Sequence, residues 1–273
     1  MADLKRDKPQ ASTRFATIDD RGPLDGDALS EKARWVRATV LEMIVGANKG
    51  HIGGSLSSTD ILISLYQGGV LNVDPRNPKL EERDRFIFSK GHSAESLYAV
   101  LADLGYFSTD ELMTYGRDGS ILGGHVDNNI PGIEVSTGSL GHGLSIGAGL
   151  ALSARLDGKD YRVYALLGDG ECYEGSVWEG AMFAAHHRLS NLAAIVDRNR
   201  QITLNYTEDI NELDPFVDKW KAFNWDVHVV DGHSIPELIE TFQDLKHRES
   251  DRPAVVIANT LKGKGVSFME GNL

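Results

Sequence analysis

The chain contains 273 residues, enough for one large α/β domain or two small ones, and 40 acidic against 28 basic side chains give it a net charge of −12. This acidic balance argues against a broad basic face for nucleic acid, and no apolar run reaches the roughly 18–20 residues of a membrane span. The single cysteine, Cys172, cannot form an intrachain disulfide, so we expect a reducing compartment, the cytoplasm.

The first 27 residues are polar and are predicted to be an N-terminal arm, whereas residues 28–273 are predicted to form one domain. In that domain, apolar residues at three- and four-residue steps predict helices, and short apolar runs predict strands. Two capping boxes, Ser108 with Glu111 and Ser234 with Glu237, predict helix starts. In chain order, the predicted helices cover residues 29–45, 59–66, 97–104, 144–156, 174–187, 213–223 and 234–245, and the predicted strands cover 85–89, 161–167, 191–197, 226–230 and 253–259.

The alternation of apolar strands with helices predicts an α/β fold, a parallel sheet with helices on both faces. Ligands of such open sheets bind outside the carboxyl ends of the strands. Asp169 follows one predicted strand and Asn199 the next, with a single crossover helix between them. If the two strands are neighbours, both side-chain oxygens face one point.

Asp169 and Asn199 predict a metal site, because Mg²⁺ and Ca²⁺ prefer oxygen ligands and complete their shells with substrate phosphates. Gly168 and Gly170 leave room for a phosphate, and the helix that starts near Glu174 is expected to point free N–H groups at it. The pattern therefore favours a metal–diphosphate site. A plain β-turn followed by an Asx turn is the structural alternative.

Glycine and histidine are distributed in a second informative pattern. The chain has 29 glycines, and the glycine-rich stretch 116–143 shows no clear period, which is typical of a functional loop. Glycine allows the backbone to approach a ligand closely, and histidine titrates near neutrality. Gly-His pairs spread along the chain therefore favour one ligand pocket assembled from several loops. The alternative is that they are ordinary turns. Histidine follows glycine at His51, His92, His125, His142 and His233.

The sequence Gly168-Asp169-Gly170, followed after 28 residues by Asn199, resembles the thiamine diphosphate-binding signature. Other segments resemble the histidine and glycine loops of the transketolase family, and together they cover nearly the whole chain after the arm. The combination is specific to transketolases and deoxyxylulose-phosphate synthases, and the residue sequence of the loops is closer to that of transketolases. These segments are 50–54, 83–86, 89–92, 124–125, 131–134, 137–141, 231–233 and 260–265.

The resemblance implies a thiamine diphosphate-binding fold for residues 28–273, with Mg²⁺ as second cofactor and Ca²⁺ or Mn²⁺ as substitutes. It implies Mg²⁺ ligands from Asp169, Asn199 and the main-chain carbonyl of Gln201. It also implies three catalytic histidines, of which two line the substrate channel and bind hydroxyl groups of a ketose, and the third contacts the cofactor diphosphate. They are His51 and His125 for the ketose and His92 for the diphosphate.

The remaining cofactor-binding positions follow from the same resemblance. Glu174 is implied to belong to a carboxylate network between paired subunits, and the alternative is that it only caps its helix. Cys172 lies beside the metal loop, but no neighbouring pattern indicates a nucleophile. The cofactor-binding positions implied besides His92 are Gly138, Ser139, Leu140, Gly170, Glu174 and Asn199.

The implied activity is that of a transketolase, which transfers a two-carbon ketol unit from a ketose or ketose phosphate to an aldose or aldose phosphate. The family's pyrimidine-binding domain has no counterpart in this sequence, so we expect it on a separate C-terminal subunit, with which this chain would form an α2β2 heterotetramer. One alternative is a subunit of another thiamine diphosphate enzyme, such as a 2-oxo acid dehydrogenase, a decarboxylase or a deoxyxylulose-phosphate synthase. Another is a non-catalytic scaffold, although the retained Asp169 and Asn199 argue against it.

Overall fold

The computed structural model describes residues 25–273, so the predicted arm lies outside the described residues except for its last three positions. The described part contains eight α-helices and five β-strands. The helices are α1 (Gly26–Ala47), α2 (Ile52–Tyr66), α3 (Ala94–Asp103), α4 (Gly143–Leu156), α5 (Gly175–His186), α6 (Thr207–Ile210), α7 (Phe216–Ala222) and α8 (Ile235–His247). The strands are β1 (Arg85–Phe88), β2 (Val163–Gly168), β3 (Leu192–Arg198), β4 (Asp226–Asp231) and β5 (Ala254–Asn259).

All five strands are parallel and lie in the order β1-β2-β3-β5-β4. Successive side chains of a strand point to opposite faces, so each apolar strand supplies two cores. In β2, for example, Tyr164 and Leu166 join the core beneath α1, α2, α3 and α8, whereas Val163, Ala165 and Leu167 join the core beneath α4, α5 and α7. The predicted parallel α/β sheet with helices on both faces is confirmed.

Helix α1 follows the predicted amphipathic pattern, with Leu29, Val36 and Val40 buried on one side. Its start is fixed by Asp25, whose side chain accepts a hydrogen bond from the N–H of Ala28 at 2.8 Å. Its end is fixed by Asn48, which has a left-handed φ of 50°.

Helix α2 begins at Ile52, well before the predicted start at residue 59. Every residue from Ser55 to Tyr66 is buried, so this helix has no polar face that would produce a periodic pattern. Its small polar residues are tolerated because their hydroxyls find partners within the helix, as when Ser64 Oγ donates to the carbonyl of Asp60 at 2.8 Å, or on neighbouring elements, as when Ser57 Oγ donates to Asp197 at 2.6 Å. Sequence periodicity could not locate the start of such a helix.

Both predicted capping boxes need correction. Ser234 precedes α8 but makes no capping hydrogen bond through its side chain, although Pro236 lies in the first turn, where proline is favoured. Ser108 does accept a hydrogen bond, from the N–H of Asp110 at 3.2 Å, but the element it starts is a 3₁₀ helix over residues 109–114. Within residues 25–273, no helix is long and apolar enough to span a membrane.

Candidate functional site

The predicted metal-binding side chains follow two neighbouring strands. Asp169 comes directly after β2 and Asn199 directly after β3, and these strands pair in parallel with Gly168 opposite Asp197. The N–H of Asp169 extends the pairing by donating to the carbonyl of Asp197 at 3.3 Å. The carboxyl ends of β2 and β3 therefore form one edge, as the sequence predicted.

The carboxylate of Asp169 is almost fully buried and is held by main-chain donors. Its Oδ2 accepts from the N–H of Arg200 at 2.6 Å, and its Oδ1 accepts from the N–H of Gly170 at 2.8 Å. Burial, together with the nearby negative charge of Asp197, raises the pKa of Asp169 to about 6. A buried acid that is destabilised in its charged form is suited to a cation, which would offset the desolvation.

The loop after β3 supplies the other predicted oxygen ligands. The side-chain oxygen of Asn199 accepts from the N–H of Gln201 at 3.1 Å, which folds the loop back beside the end of the strand. The ammonium group of Lys262 donates to the main-chain carbonyls of Gln201 at 3.4 Å and Ile202 at 2.9 Å. These carbonyl oxygens thus already face a positive charge.

A mixed oxygen site of this kind differs from a cluster of acidic or imidazole ligands. Within residues 25–273, no group of three or more His, Cys, Asp and Glu side chains is arranged to hold a metal ion. The predicted set has only one carboxylate, Asp169, combined with the amide of Asn199 and the main-chain carbonyl of Gln201. Such a set fits Mg²⁺, which takes few protein ligands and completes its shell with phosphate and water oxygens.

Three predicted histidines from separate loops form one cluster. The ring of His51 lies 5.2 Å from that of His92 and 6.0 Å from that of His125, centroid to centroid. His51 and His125 are exposed, whereas His92 is half-buried. Burial, reinforced by the charge of Lys90, lowers the pKa of His92 to about 3, so this imidazole is neutral at neutral pH.

The glycine-rich loop brings its predicted cofactor-binding residues against the same cluster. Gly138 has a φ of +145°, and a Cβ atom there would lie 2.5 Å from Cδ2 of His125. Beside it, Thr137 Oγ1 donates to the carbonyl of Phe88 at 2.6 Å, which ties the loop to the end of β1. Ser139 and Leu140 follow directly and are exposed and half-buried, respectively, so a ligand can reach both.

Glu171 holds the glycine-rich loop and the strand ends together, and sequence reasoning missed it. Its Oε1 accepts from the N–H of Gly141 at 2.9 Å and from the hydroxyl of Ser89, and its Oε2 accepts from the N–H of Gly168 at 3.1 Å. It lies in a 3₁₀ turn, residues 170–173, that separates β2 from α5. The sequence predicted a helix over 174–187, which agrees with α5, but assigned no element to this turn.

Gly170 and Glu174 lie at the two ends of this connection. A Cβ atom at Gly170 would collide with the side chain of Ile202 in the loop after β3, so only glycine fits here. Glu174 is the N-cap residue of α5, but it is exposed and its side chain makes no capping hydrogen bond. Its side chain lies beside Gly141, because a Cβ atom at Gly141 would come within 2.6 Å of Cβ of Glu174.

A buried ion pair lies beneath the site and was also missed. Lys90 and Asp197 form a salt bridge, and both side chains are almost completely buried. The carboxylate also accepts from Ser57 Oγ at 2.6 Å and from the hydroxyl of Thr260. Burial acts to raise the pKa of Asp197, but the charge and hydrogen bond of Lys90 outweigh it, and the pKa is lowered. The sequence did contain a signal for this ion pair, because Asp197 is a charged residue near the end of an otherwise apolar strand.

Two other polar residues can be assigned from their surroundings. Cys172 is fully buried, and burial raises the pKa of its thiol well above the usual value, which makes it a poor nucleophile. His233 accepts from the N–H of Leu261 through Nε2 at 2.8 Å and contacts Asp60 through Nδ1 at 2.7 Å. It thereby holds the segment that carries Lys262 and does not join the histidine cluster.

Comparison with known proteins adds a family assignment to this geometry. The family model described as "Transketolase, thiamine diphosphate binding domain" matches residues 29–273. The chain is 45% identical to an apulose-4-phosphate transketolase subunit of Phocaeicola vulgatus, covering 86% of this chain and 83% of that protein. It is 43% identical to a 6-deoxy-6-sulfo-D-fructose transketolase subunit of a Clostridium species, covering 90% and 89%.

Solved structures show the same fold in longer proteins. The crystal structure of transketolase from Campylobacter jejuni superimposes with a TM-score of 0.85 at 30% identity, covering 91% of this chain. The match spans only 40% of the Campylobacter chain. The sheet and the loops at its carboxyl edge thus correspond to one part of that protein.

Proposed function

Because the chain belongs to the transketolase family, we propose that it is the diphosphate-binding subunit of a two-chain, Mg²⁺-dependent transketolase that transfers a two-carbon ketol unit from a ketose to an aldose. The observation that carries this proposal is the placement of Asp169 and Asn199 at adjacent strand ends, on the edge to which the histidine and glycine loops contribute. Thiamine diphosphate, when bound, supplies the carbanion and the electron sink for this chemistry.

Three ligands of this chain would hold the magnesium ion: the carboxylate of Asp169, the amide oxygen of Asn199 and the main-chain carbonyl of Gln201. The burial of Asp169 and the cation already accepted by the carbonyl of Gln201 support this assignment. Ca²⁺ or Mn²⁺, which accept the same oxygen ligands, would substitute.

Separate loops would hold the two ends of the cofactor. Gly170, beside the metal ligands, and His92 would contact the diphosphate, and Gly138, Ser139 and Leu140 would contact the aminopyrimidine. The absence of a side chain at Gly138 is required by the ring of His125, so the loop approaches that ring as closely as a backbone can.

The histidines would bind and orient the sugar. His51 and His125 are exposed, lie beside the neutral His92, and can donate hydrogen bonds to hydroxyl groups or accept them. Histidine is the side chain that most often serves as a general acid or base, so the two exposed rings would also pass protons during ketol transfer. A polyhydroxylated substrate matches such a cluster better than a 2-oxo acid does.

We also propose a partner. The two relatives named as transketolase subunits match this chain over 83% and 89% of their own length, which supports a separate C-terminal subunit that supplies the pyrimidine-binding domain. An α2β2 heterotetramer, in which Glu174 joins a carboxylate network between subunits, is the assembly we propose. Its location would be the cytoplasm, which suits a chain with a single, buried cysteine.

The test uses this chain alone and in complex with the product of the neighbouring reading frame. We expect ketol transfer only from the complex, assayed with apulose 4-phosphate, 6-deoxy-6-sulfo-D-fructose and an unsubstituted ketose phosphate as donors. Activity of the isolated chain would contradict the two-chain proposal. Release of CO₂ from pyruvate by the complex would contradict the reaction class.

Calorimetry of thiamine diphosphate binding tests the metal site separately. Asp169→Asn should weaken cofactor affinity by about tenfold or more in the presence of Mg²⁺. The matched control is Asp157→Asn, which changes an exposed aspartate at the end of α4 and should leave affinity unchanged. Wild-type affinity of the Asp169 variant would refute the assigned ligand set.

A further inference from the structure

Helix α3 contains a buried carboxylate that the proposed mechanism does not use. Glu95, its second residue, is completely inaccessible to solvent. Its Oε1 accepts from the main-chain N–H of His51 at 3.0 Å and from the hydroxyl of Tyr115 at 2.7 Å, and its Oε2 accepts from the hydroxyl of Ser55 at 2.6 Å. None of these donors is charged, so the carboxylate holds neutral groups in place.

The carboxylate fixes the backbone on both sides of the His51 ring. The N–H of His51 is bound directly, and Ser55, in the first turn of α2, is bound by the other oxygen. The N–H of Ser55 in turn donates to the carbonyl of His51 at 3.2 Å. Both main-chain polar groups of His51 are thus tied to one small hydrogen-bonded unit.

The residue before His51 shows how closely the carboxylate approaches this turn. Gly50 has a φ of +142°, and a Cβ atom there would lie 2.5 Å from Oε1 of Glu95 and 2.7 Å from Cγ1 of Ile44. The chain therefore passes between an apolar side chain and the buried carboxylate, and only glycine fits.

The position of the His51 ring depends on this backbone. The ring contacts both His92 and His125 but is exposed, so packing holds it less tightly than it would a buried side chain. A shift of the turn would displace the ring relative to both neighbours. On the basis of the proposed function, we propose that Glu95 is a positioning residue that sets His51 against the sugar.

The same helix serves the other two histidines. His92 lies in the 3₁₀ turn immediately before α3. One turn after Glu95, the hydroxyl of Tyr98 lies 2.7 Å from the carbonyl oxygen of His125, to which it can donate. Since Glu95 and Tyr98 lie on one face of the helix, α3 is a common frame for all three rings.

The experiment compares variants of Glu95 in the purified two-chain complex. Glu95→Gln keeps an oxygen for the N–H of His51 and should behave like the wild type. Glu95→Met keeps the volume but removes both acceptors, and should raise KM for the ketose about tenfold while leaving thiamine diphosphate affinity unchanged. The matched control is Asp103→Leu, which removes the bonds to Lys32 and Gln67 at the far end of α3 and should leave KM unchanged.

A double-mutant cycle separates positioning from a purely structural role. In a His51→Ala background, Glu95→Met should cause no further rise in KM, because the ring that it positions is absent. An undiminished effect in that background, or equal KM values for Glu95→Met and wild type, would overturn the inference. If Glu95→Met does not fold, Glu95→Asp replaces it in the experiment, because it withdraws the carboxylate by one methylene group. Glu95→Asp should also raise KM, and an unchanged KM would overturn the inference.

A second readout does not depend on the proposed reaction. By NMR, the His51 amide should exchange slowly with solvent in the wild type and in Glu95→Gln, and quickly in Glu95→Met or Glu95→Asp. Fast exchange in the wild type would overturn the inference. An inactive wild-type complex with a protected His51 amide would count against the proposed function alone.

Discussion

Replacing Lys90 by methionine tests the buried ion pair beneath the site. The side chain of Lys90 is 2% exposed and that of Asp197 is 0% exposed, so solvent screening is negligible. Methionine retains much of the volume but leaves the carboxylate with the hydroxyls of Ser57 and Thr260 and no positive partner. Removing one member of a buried pair costs about 3–5 kcal/mol, a large share of the roughly 5–15 kcal/mol by which a domain is stable.

The pKa of Asp197 determines how the free energy of unfolding changes with pH in the wild type and in the variant. In the wild type, the pKa of Asp197 lies below its usual value, so its contribution is present above about pH 4 and is lost as the pH falls further. In Lys90→Met, only the hydrogen bonds from Ser57 and Thr260 still oppose burial, and we expect burial to raise the pKa of Asp197 above its unfolded value. The folded variant then binds a proton more tightly than the unfolded chain, so its stability rises as the pH falls from about 7 towards 4.

The assay is urea denaturation of the cofactor-free chain, followed by fluorescence of its four tryptophans at about pH 7 and about pH 5. The deficit of Lys90→Met should be largest at neutral pH and smaller at acid pH, and Asp197→Asn in the same chain should recover part of it. Lys159→Met, which removes a partly exposed lysine paired with the exposed Glu81, is the control and should change nothing measurable. A deficit below about 1 kcal/mol that is independent of pH would refute the reasoning.

Three further predictions concern the loops and helices around the site. Because burial lowers the pKa of His92 to about 3, the unfolded chain binds a proton that the folded one does not, so this residue makes stability fall between about pH 6.5 and 3 by up to about 1.4 kcal/mol per pH unit. His92→Gln should flatten that slope in urea titrations, and an unchanged slope would contradict a neutral His92. Gly138→Ala should lower thiamine diphosphate affinity in calorimetry, because its Cβ meets the ring of His125, and wild-type affinity would contradict the close approach. Gly149→Ala, in an open position within α4, should instead raise the free energy of unfolding by about 0.5–1 kcal/mol, and a loss of stability would show that the helix is constrained there.

The sequence alone determined the fold class and the edge of the sheet at which we propose the site. Apolar strands alternating with helices predict a parallel sheet, and the carboxyl ends of such strands lie at one edge, so Asp169 and Asn199 could be assigned to a common site before their distance in space was known. The pairing of β2 with β3 is confirmed by the structure, and the resemblance of the loops to transketolases is confirmed by the family match. Both predictions depend on patterns among residues that lie close together along the chain.

Tertiary structure alone decided which buried groups support that site. Lys90 meets Asp197 across 107 residues of sequence, and Glu95 meets the N–H of His51 across 44. No periodicity links such residues. Lys90 follows β1 and Asp197 lies in β3, so the strand order brings them together, whereas Glu95 reaches His51 because α3 packs against α2. The start of α2 was missed for a similar reason. A helix that is buried on all sides has no periodic pattern of apolar and polar residues, and its boundary is set by packing against neighbouring elements.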